Sequence, residues 1–97
     1  MLVIVSYDVS ISDENGKRRL RHVAKICQKY GLRVQNSVFE CQVDSMQLAQ
    51  MKTELLREID RARDSLRFYS LGNQYDAKIE HFGVGGFLDL RKDTLIL

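Results

Sequence analysis

Asp8 is the residue of this chain best placed to do chemistry. It follows the apolar, β-branched run Leu2–Val5 and the polar pair Ser6-Tyr7, where an extended segment ends. A carboxylate at the end of a strand is held on a rigid element and is partly open to solvent, as a divalent-cation ligand must be. The competing reading is structural: Asp side chains often bond the backbone of the turn that follows them. One carboxylate is a sparse ligand set for Mg²⁺, which keeps several waters and usually takes one or two carboxylates plus substrate phosphates. A two-fold axis near Asp8 would bring two copies together. Facing carboxylates repel, so such a pair favours a cation, or a shared proton, between them.

The second feature is charge. Between Lys17 and Arg33 stand seven basic residues (Lys17, Arg18, Arg19, Arg21, Lys25, Lys29, Arg33) and no acidic one. The net charge is only +2, so this is one local basic region and not a general polycation. Such a region fits a polyanionic partner. It fits a solvated helix face equally well.

Other constellations carry less. Gly83-Val84-Gly85-Gly86 lacks the Gly-Lys-Ser/Thr ending of a phosphate loop and reads as a turn. No nucleophile-elbow pattern is present. His22 sits beside the basic run and reads as a surface side chain, and His81 is far from it in sequence. Cys27 and Cys41 do not form a Cys-x-x-Cys pair, so they read as small buried hydrophobes and not as zinc ligands. No residue is an obvious general base for hydrolysis, apart from water bound to a metal.

These residues need elements to position them. Leu2–Asp8 reads as a buried strand and Ser10–Gly16 as a loop. From Lys17 the period changes: Leu20, Val23, Ala24, Cys27 and Tyr30 line one face of a helix, with Gly31 placed to cap it. Arg18, Arg21, Lys25 and Lys29 fall on the opposite face, and Arg19 on the boundary. Arg33–Val43 reads as extended, with a phase change that predicts a bulge or break near Asn36-Ser37. Asp44 and Gln47 form a capping box for a second helix carrying Leu48, Met51, Leu55, Ile59 and Ala62 on its apolar stripe. Leu66–Leu71 reads as a strand, Gly72-Asn73 as a turn, Ala77–Phe82 as a short strand and Thr94–Leu97 as a last β-like run.

Two strand–helix–strand units predict an α+β, ferredoxin-like split βαβ (βαββαβ) domain with additional short C-terminal strands. Its helices lie on one face of an antiparallel sheet. The uncovered face predicts a two-fold homodimer. Residues 1–97 suit a single domain, with 84–97 a C-terminal tail that is a candidate for pairing with the neighbouring subunit. The longest unbroken apolar run, Met1–Val5, is far short of the about 20 residues of a membrane helix and of a secretory core, so no membrane association is expected and the expected compartment is the cytoplasm. An RNA-recognition motif shares this fold class, but its aromatic RNP1 pattern is missing from the expected third strand.

Val5-Ser-Tyr-Asp-Val9, the basic stretch Lys17–Lys25 and Val34-Gln-Asn-Ser-Val-Phe-Glu-Cys41 together resemble the CRISPR-associated protein two family, the small partner of the integrase in spacer acquisition. Tyr69–Gly83 resembles the branch found in type I-C loci. The resemblance spans about Met1–Gly83, and the tail carries none of it. It implies a ferredoxin-like homodimer in which Asp8 faces its symmetry mate and binds Mg²⁺, with Mn²⁺ an alternative. Asp8 and Tyr7, its neighbour in the motif, would be the catalytic residues. Arg18, Arg19 or Arg21, Arg33, Ser37 and Phe39 would line the inter-subunit cleft. With Lys25 on the basic helix, these residues are the expected nucleic-acid contacts. The implied activity is metal-dependent phosphodiester hydrolysis of RNA or DNA.

Three readings follow. The chain is a metal-dependent endonuclease acting on duplex DNA or single-stranded RNA. Alternatively it is a non-enzymatic adaptor that holds duplex DNA through phosphate contacts and bridges integrase subunits. The third reading is a toxin-like ribonuclease of the virulence-associated protein D type.

Overall fold

The computed structural model describes residues 1–71 and 78–85. The expected turn at Gly72-Asn73 and the expected run at Thr94–Leu97 lie outside the described residues. The elements follow the order β1 (Leu2–Asp8), α1 (Gly16–Tyr30), β2 (Gly31–Gln35), β3 (Val38–Gln42), α2 (Ser45–Glu58), β4 (Ser65–Leu71) and β5 (Lys78–Gly83). They build one five-stranded sheet in the order β2-β3-β1-β4-β5, with every described pairing antiparallel. The first four strand positions are those of a split βαβ plan, and β5 extends the sheet beyond β4.

The alternation along β1 explains the layering. Val3, Val5 and Tyr7 are buried, whereas Leu2, Ile4 and Ser6 are half-buried and Asp8 is exposed. Phe39 and Cys41 of β3 and Leu66 and Phe68 of β4 join the buried side. Val23 and Cys27 of α1 and Leu48, Met51 and Leu55 of α2 close the core over them. Both helices therefore cover one face, and among the described residues nothing covers the other, the bare face of the sheet.

Local signals decide the boundaries. The capping box is reciprocal: the Asp44 carboxylate accepts from Gln47 N at 2.7 Å, and Gln47 Oε1 accepts from Asp44 N at 3.0 Å. That helix ends at Glu58, so the expected stripe runs too far: Ala62 is exposed in the turn before β4. The phase change near Asn36-Ser37 is a hairpin turn between β2 and β3, with a separate register shift between Arg33 and Gln35. Gly31 does cap α1, donating to Cys27 O, but with an extended backbone that leads straight into β2. Among the described residues, no helix is long and apolar enough to cross a membrane.

Candidate metal and nucleic-acid site

The bare face is graded from apolar to polar along the strands. Cross-strand partners form rows: Leu2 with Gln42 and Leu71; Ile4 with Glu40, Tyr69 and Ile79; Ser6 with Val38, Arg67 and His81; Asp8 with Ser65 and Gly83. The apolar side chains Leu2, Ile4, Tyr69, Leu71 and Ile79 lie in the first two rows. Ser6, Arg67, His81, Asp8 and Ser65 lie at the end where β1 leaves the sheet, while β3 departs from this order, adding Gln42 and Glu40 to the first two rows and Val38 to the third. Asp8 thus projects from the polar end of an uncovered face, and among the described residues it makes no ion pair.

The expected neighbours of Asp8 divide between three places. Ser37 stays close to it: its carbonyl accepts from Tyr7 N at 3.1 Å and closes the hairpin against the end of β1. Tyr7, expected to be catalytic with Asp8, does not share its face. Strand alternation turns it into the core, where it is 4% exposed and its ring stacks on Phe39 at 6.2 Å between centroids. Burial pushes its phenol above the ordinary pKa. Phe39 is fully buried and is a core residue, not a nucleic-acid contact. Arg33 is exposed, but it lies over the Phe39 ring at 5.2 Å, on the helix side of the sheet and away from Asp8.

Arg19 is also corrected. Its side chain is 12% exposed and every guanidinium nitrogen is engaged inside the protein. Nε and Nη2 donate to the two oxygens of Asp64 at 2.9 and 3.3 Å, Nη1 to Asp13 at 3.1 Å, and Nη2 also to Ser10 O. It is not free for a phosphate. Its place on the boundary of the helix wheel is the physical reason: a long side chain there folds inward when a buried carboxylate waits for it. By contrast, Lys17, Arg18, Arg21 and Lys25 are exposed and have no ion-pair partner among the described residues. Lys29, on the same face, is neutralised by Glu54 at 2.6 Å. His22 bridges the helices through Glu58 at 3.0 Å. The unpaired cations of α1 therefore line its outer face, across the sheet from Asp8.

Asp64 is a hub that sequence reasoning missed. It is fully buried, and its carboxylate accepts from Ser10 N, from Asp60 N and twice from Arg19. Burial alone would raise its pKa, but the Arg19 guanidinium and the two backbone N–H groups outweigh that and hold it below the usual carboxylate range. Its carbonyl accepts from Val84 N at 2.9 Å. Gly83 lies against the same carbonyl with φ +91, and a Cβ there would come within 1.9 Å of it. One residue thus ties the exit of β1, the start of α1, the entry to β4 and the end of β5, all around the Asp8 row.

Arg67 and His81 were missed as well. Arg67 Nε donates to His81 Nδ1 at 2.8 Å, and His81 Nε2 bonds Val84 O at 2.8 Å. Of the turn expected over Gly83-Val84-Gly85-Gly86, Gly86 lies outside the described residues; Gly83 and Gly85 have positive φ and carry the chain past the imidazole. Both cysteines are free and buried, and burial pushes the Cys27 thiol up to about 12 and the Cys41 thiol to about 11, which disfavours the thiolate.

The fold and the site define a small ferredoxin-like α+β protein with a strand-end carboxylate on a bare sheet face and a separate cationic helix face. The family model described as "CRISPR associated protein Cas2" matches residues 1–79. The CRISPR-associated endonuclease Cas2 of Halalkalibacterium halodurans is 57% identical over 96 residues, covering 99% of each chain. The CRISPR-associated endoribonuclease Cas2 of Chlorobaculum tepidum is 52% identical over 97 residues, covering 100% of each. The crystal structure of Streptococcus pyogenes Cas2 at pH 6.5 superposes with a TM-score of 0.69 at 51% identity, over 77% of this chain and 90% of that one. The chain belongs to the Cas2 family.

Proposed function

We propose that this chain is a cytoplasmic, nucleic-acid-binding protein of spacer acquisition whose two copies pack through the bare sheet face and place their Asp8 carboxylates opposite each other. The observation that carries the reading is the gradient that β1, β4 and β5 make on that face: apolar side chains suited to burial against a second copy at one end, and Asp8 exposed at the polar end. One chain alone does not make a metal site, and among the described residues no cluster of three or more His, Cys, Asp or Glu side chains could hold an ion. Two facing Asp8 carboxylates with water fit the oxygen-ligand preference of Mg²⁺ or Mn²⁺, which would lower the pKa of bound water for phosphodiester hydrolysis. Arg18, Arg21 and Lys25 hold duplex DNA by phosphate contacts on the outer helix face. That surface stays open when the sheet face is covered, which suits an adaptor between integrase subunits as well as a nuclease.

The test is cleavage of labelled duplex DNA and single-stranded RNA with Mg²⁺ or Mn²⁺ by the full chain and its Asp8→Ala variant, with sedimentation of both. A dimer whose cleavage is lost in Asp8→Ala supports the nuclease. A dimer that binds duplex without cleaving it supports the adaptor alone. A monomer at micromolar concentration sinks the paired-Asp8 site.

A further inference from the structure

We infer that Arg67 is a phosphate-contacting residue of the Asp8 site and that His81 is the residue that positions it. This rests on the reading that Asp8 faces a nucleic-acid phosphate. Arg67 is directly opposite Ser6 in the β1–β4 pairing, and Asp8 is opposite Ser65. Arg67 is therefore the diagonal neighbour of Asp8 on the bare face, about 7–8 Å away between Cα atoms and within reach of a long side chain.

A diagonal Arg and Asp on one sheet face would ordinarily be expected to pair. These do not. Arg67 is held instead by a neutral acceptor, His81 Nδ1, at 2.8 Å. Arginine has no acceptor, so the shared proton belongs to Arg67 Nε and Nδ1 carries none. The imidazole proton is then on Nε2, which donates to Val84 O at 2.8 Å. The tautomer is set at both ends. The ring is held by a backbone carbonyl that the turn at Gly83–Gly85 brings over it, and Val84 N is in turn fixed to Asp64 O.

The result is an oriented guanidinium that, among the described residues, has no ion-pair partner. Among the described residues, neither terminal nitrogen of Arg67 has a hydrogen-bond partner. These two nitrogens form the edge that binds a phosphate bidentately. Asp8 is left free to ligate a cation while Arg67 takes non-bridging phosphate oxygens beside it. A carboxylate in place of His81 would orient the arginine too, but it would also cancel the charge that a phosphate needs.

The test uses the full chain, a short labelled DNA duplex and a single-stranded RNA, with Asp8→Ala in parallel. Arg67→Gln is expected to lower cleavage about 100-fold, the scale of losing one charge-stabilising donor, and to flatten the salt dependence of duplex binding by about one phosphate. His81→Ala is expected to lower cleavage about 10-fold with Arg67 still present. His81→Asn, whose Oδ1 can accept where Nδ1 did, is expected to restore most of it. Imidazole ¹⁵N shifts should show an unprotonated Nδ1 in His81 that changes in Arg67→Gln. If Arg67→Gln cleaves and binds like the parent while Asp8→Ala is dead, this inference fails and the Asp8 site stands. If the parent binds without cleaving, an unchanged salt slope in Arg67→Gln overturns the inference and a flattened one supports it. If the parent neither cleaves nor binds, both readings fail.

Discussion

Replacing Asp64 by Asn tests whether the buried hub holds the Asp8 end of the fold. The carboxylate is fully buried and accepts four hydrogen bonds, two on each oxygen. Oδ1 takes Ser10 N and Arg19 Nη2; Oδ2 takes Asp60 N and Arg19 Nε. An amide turns one of these oxygens into a donor that faces two donors. Whichever way it is flipped, two bonds are lost and a buried charge pair is broken. Removing one partner of a buried pair costs about 3–5 kcal/mol. Here the lower end applies, because Arg19 keeps Asp13 at 3.1 Å. A loss of about 3 kcal/mol should lower the melting temperature by about 12–24 °C for a domain of this size. Urea unfolding at one fixed protein concentration is the assay, with a lower midpoint at an unchanged slope as the expected result.

The same substitution has a pH signature. The Asp64 carboxyl titrates below its ordinary value in the folded protein, so its contribution is present above the unfolded pKa of about 3.9. It is lost as pH falls through the folded value. The parent should therefore lose stability on acidification below about pH 4, and Asp64→Asn should show a shallower fall there. A destabilisation under about 1 kcal/mol would refute the hub, because it would equal one ordinary hydrogen bond. An undiminished acid sensitivity in the variant would assign the low-pH loss to other carboxylates.

Gly83→Ala should destabilise by about 2 kcal/mol or more, since a side chain is strained at positive φ and its Cβ would meet the Asp64 carbonyl; a thermal melt checks it. Reversing Arg18 and Arg21 to Glu should weaken duplex binding at every sequence and flatten the salt slope by about two phosphates. An unchanged slope by fluorescence anisotropy removes the basic face from the proposal. Cys27 and Cys41 should resist alkylation at neutral pH in the folded protein and react after unfolding, because burial raises both thiols; mass spectrometry of the adducts reads this directly.

What was legible in the sequence was what neighbouring residues decide together. The apolar alternation of Leu2–Asp8, the spacing of Leu20, Val23 and Cys27, and the Asp44–Gln47 box each act within a few residues, and each element stands where its pattern places it. The exposed face of Asp8 was legible for the same reason. The alternation that exposes Asp8 also buries Tyr7, so adjacency in a motif and adjacency in space exclude each other on a strand. The rest depends on contacts that no local pattern encodes. Arg19 sits 45 residues from Asp64, and Ser10 sits 54 from it, so neither bond can be read from spacing. The pairing of Arg67 with His81 depends on the β4–β5 register, and one residue of slip would move both side chains to the other face. Charge count also misleads on a helix boundary: seven basic residues run from Lys17 to Arg33, yet Arg19 turns inward, Lys29 pairs with Glu54 and Arg33 lies on Phe39. The four that remain open, Lys17, Arg18, Arg21 and Lys25, share the outer face of α1, while Asp8 and Arg67 share the bare sheet face. A phosphate backbone bound on the first surface does not compete with a second copy packed on the other, so one small domain can hold a nucleic acid and dimerise at the same time.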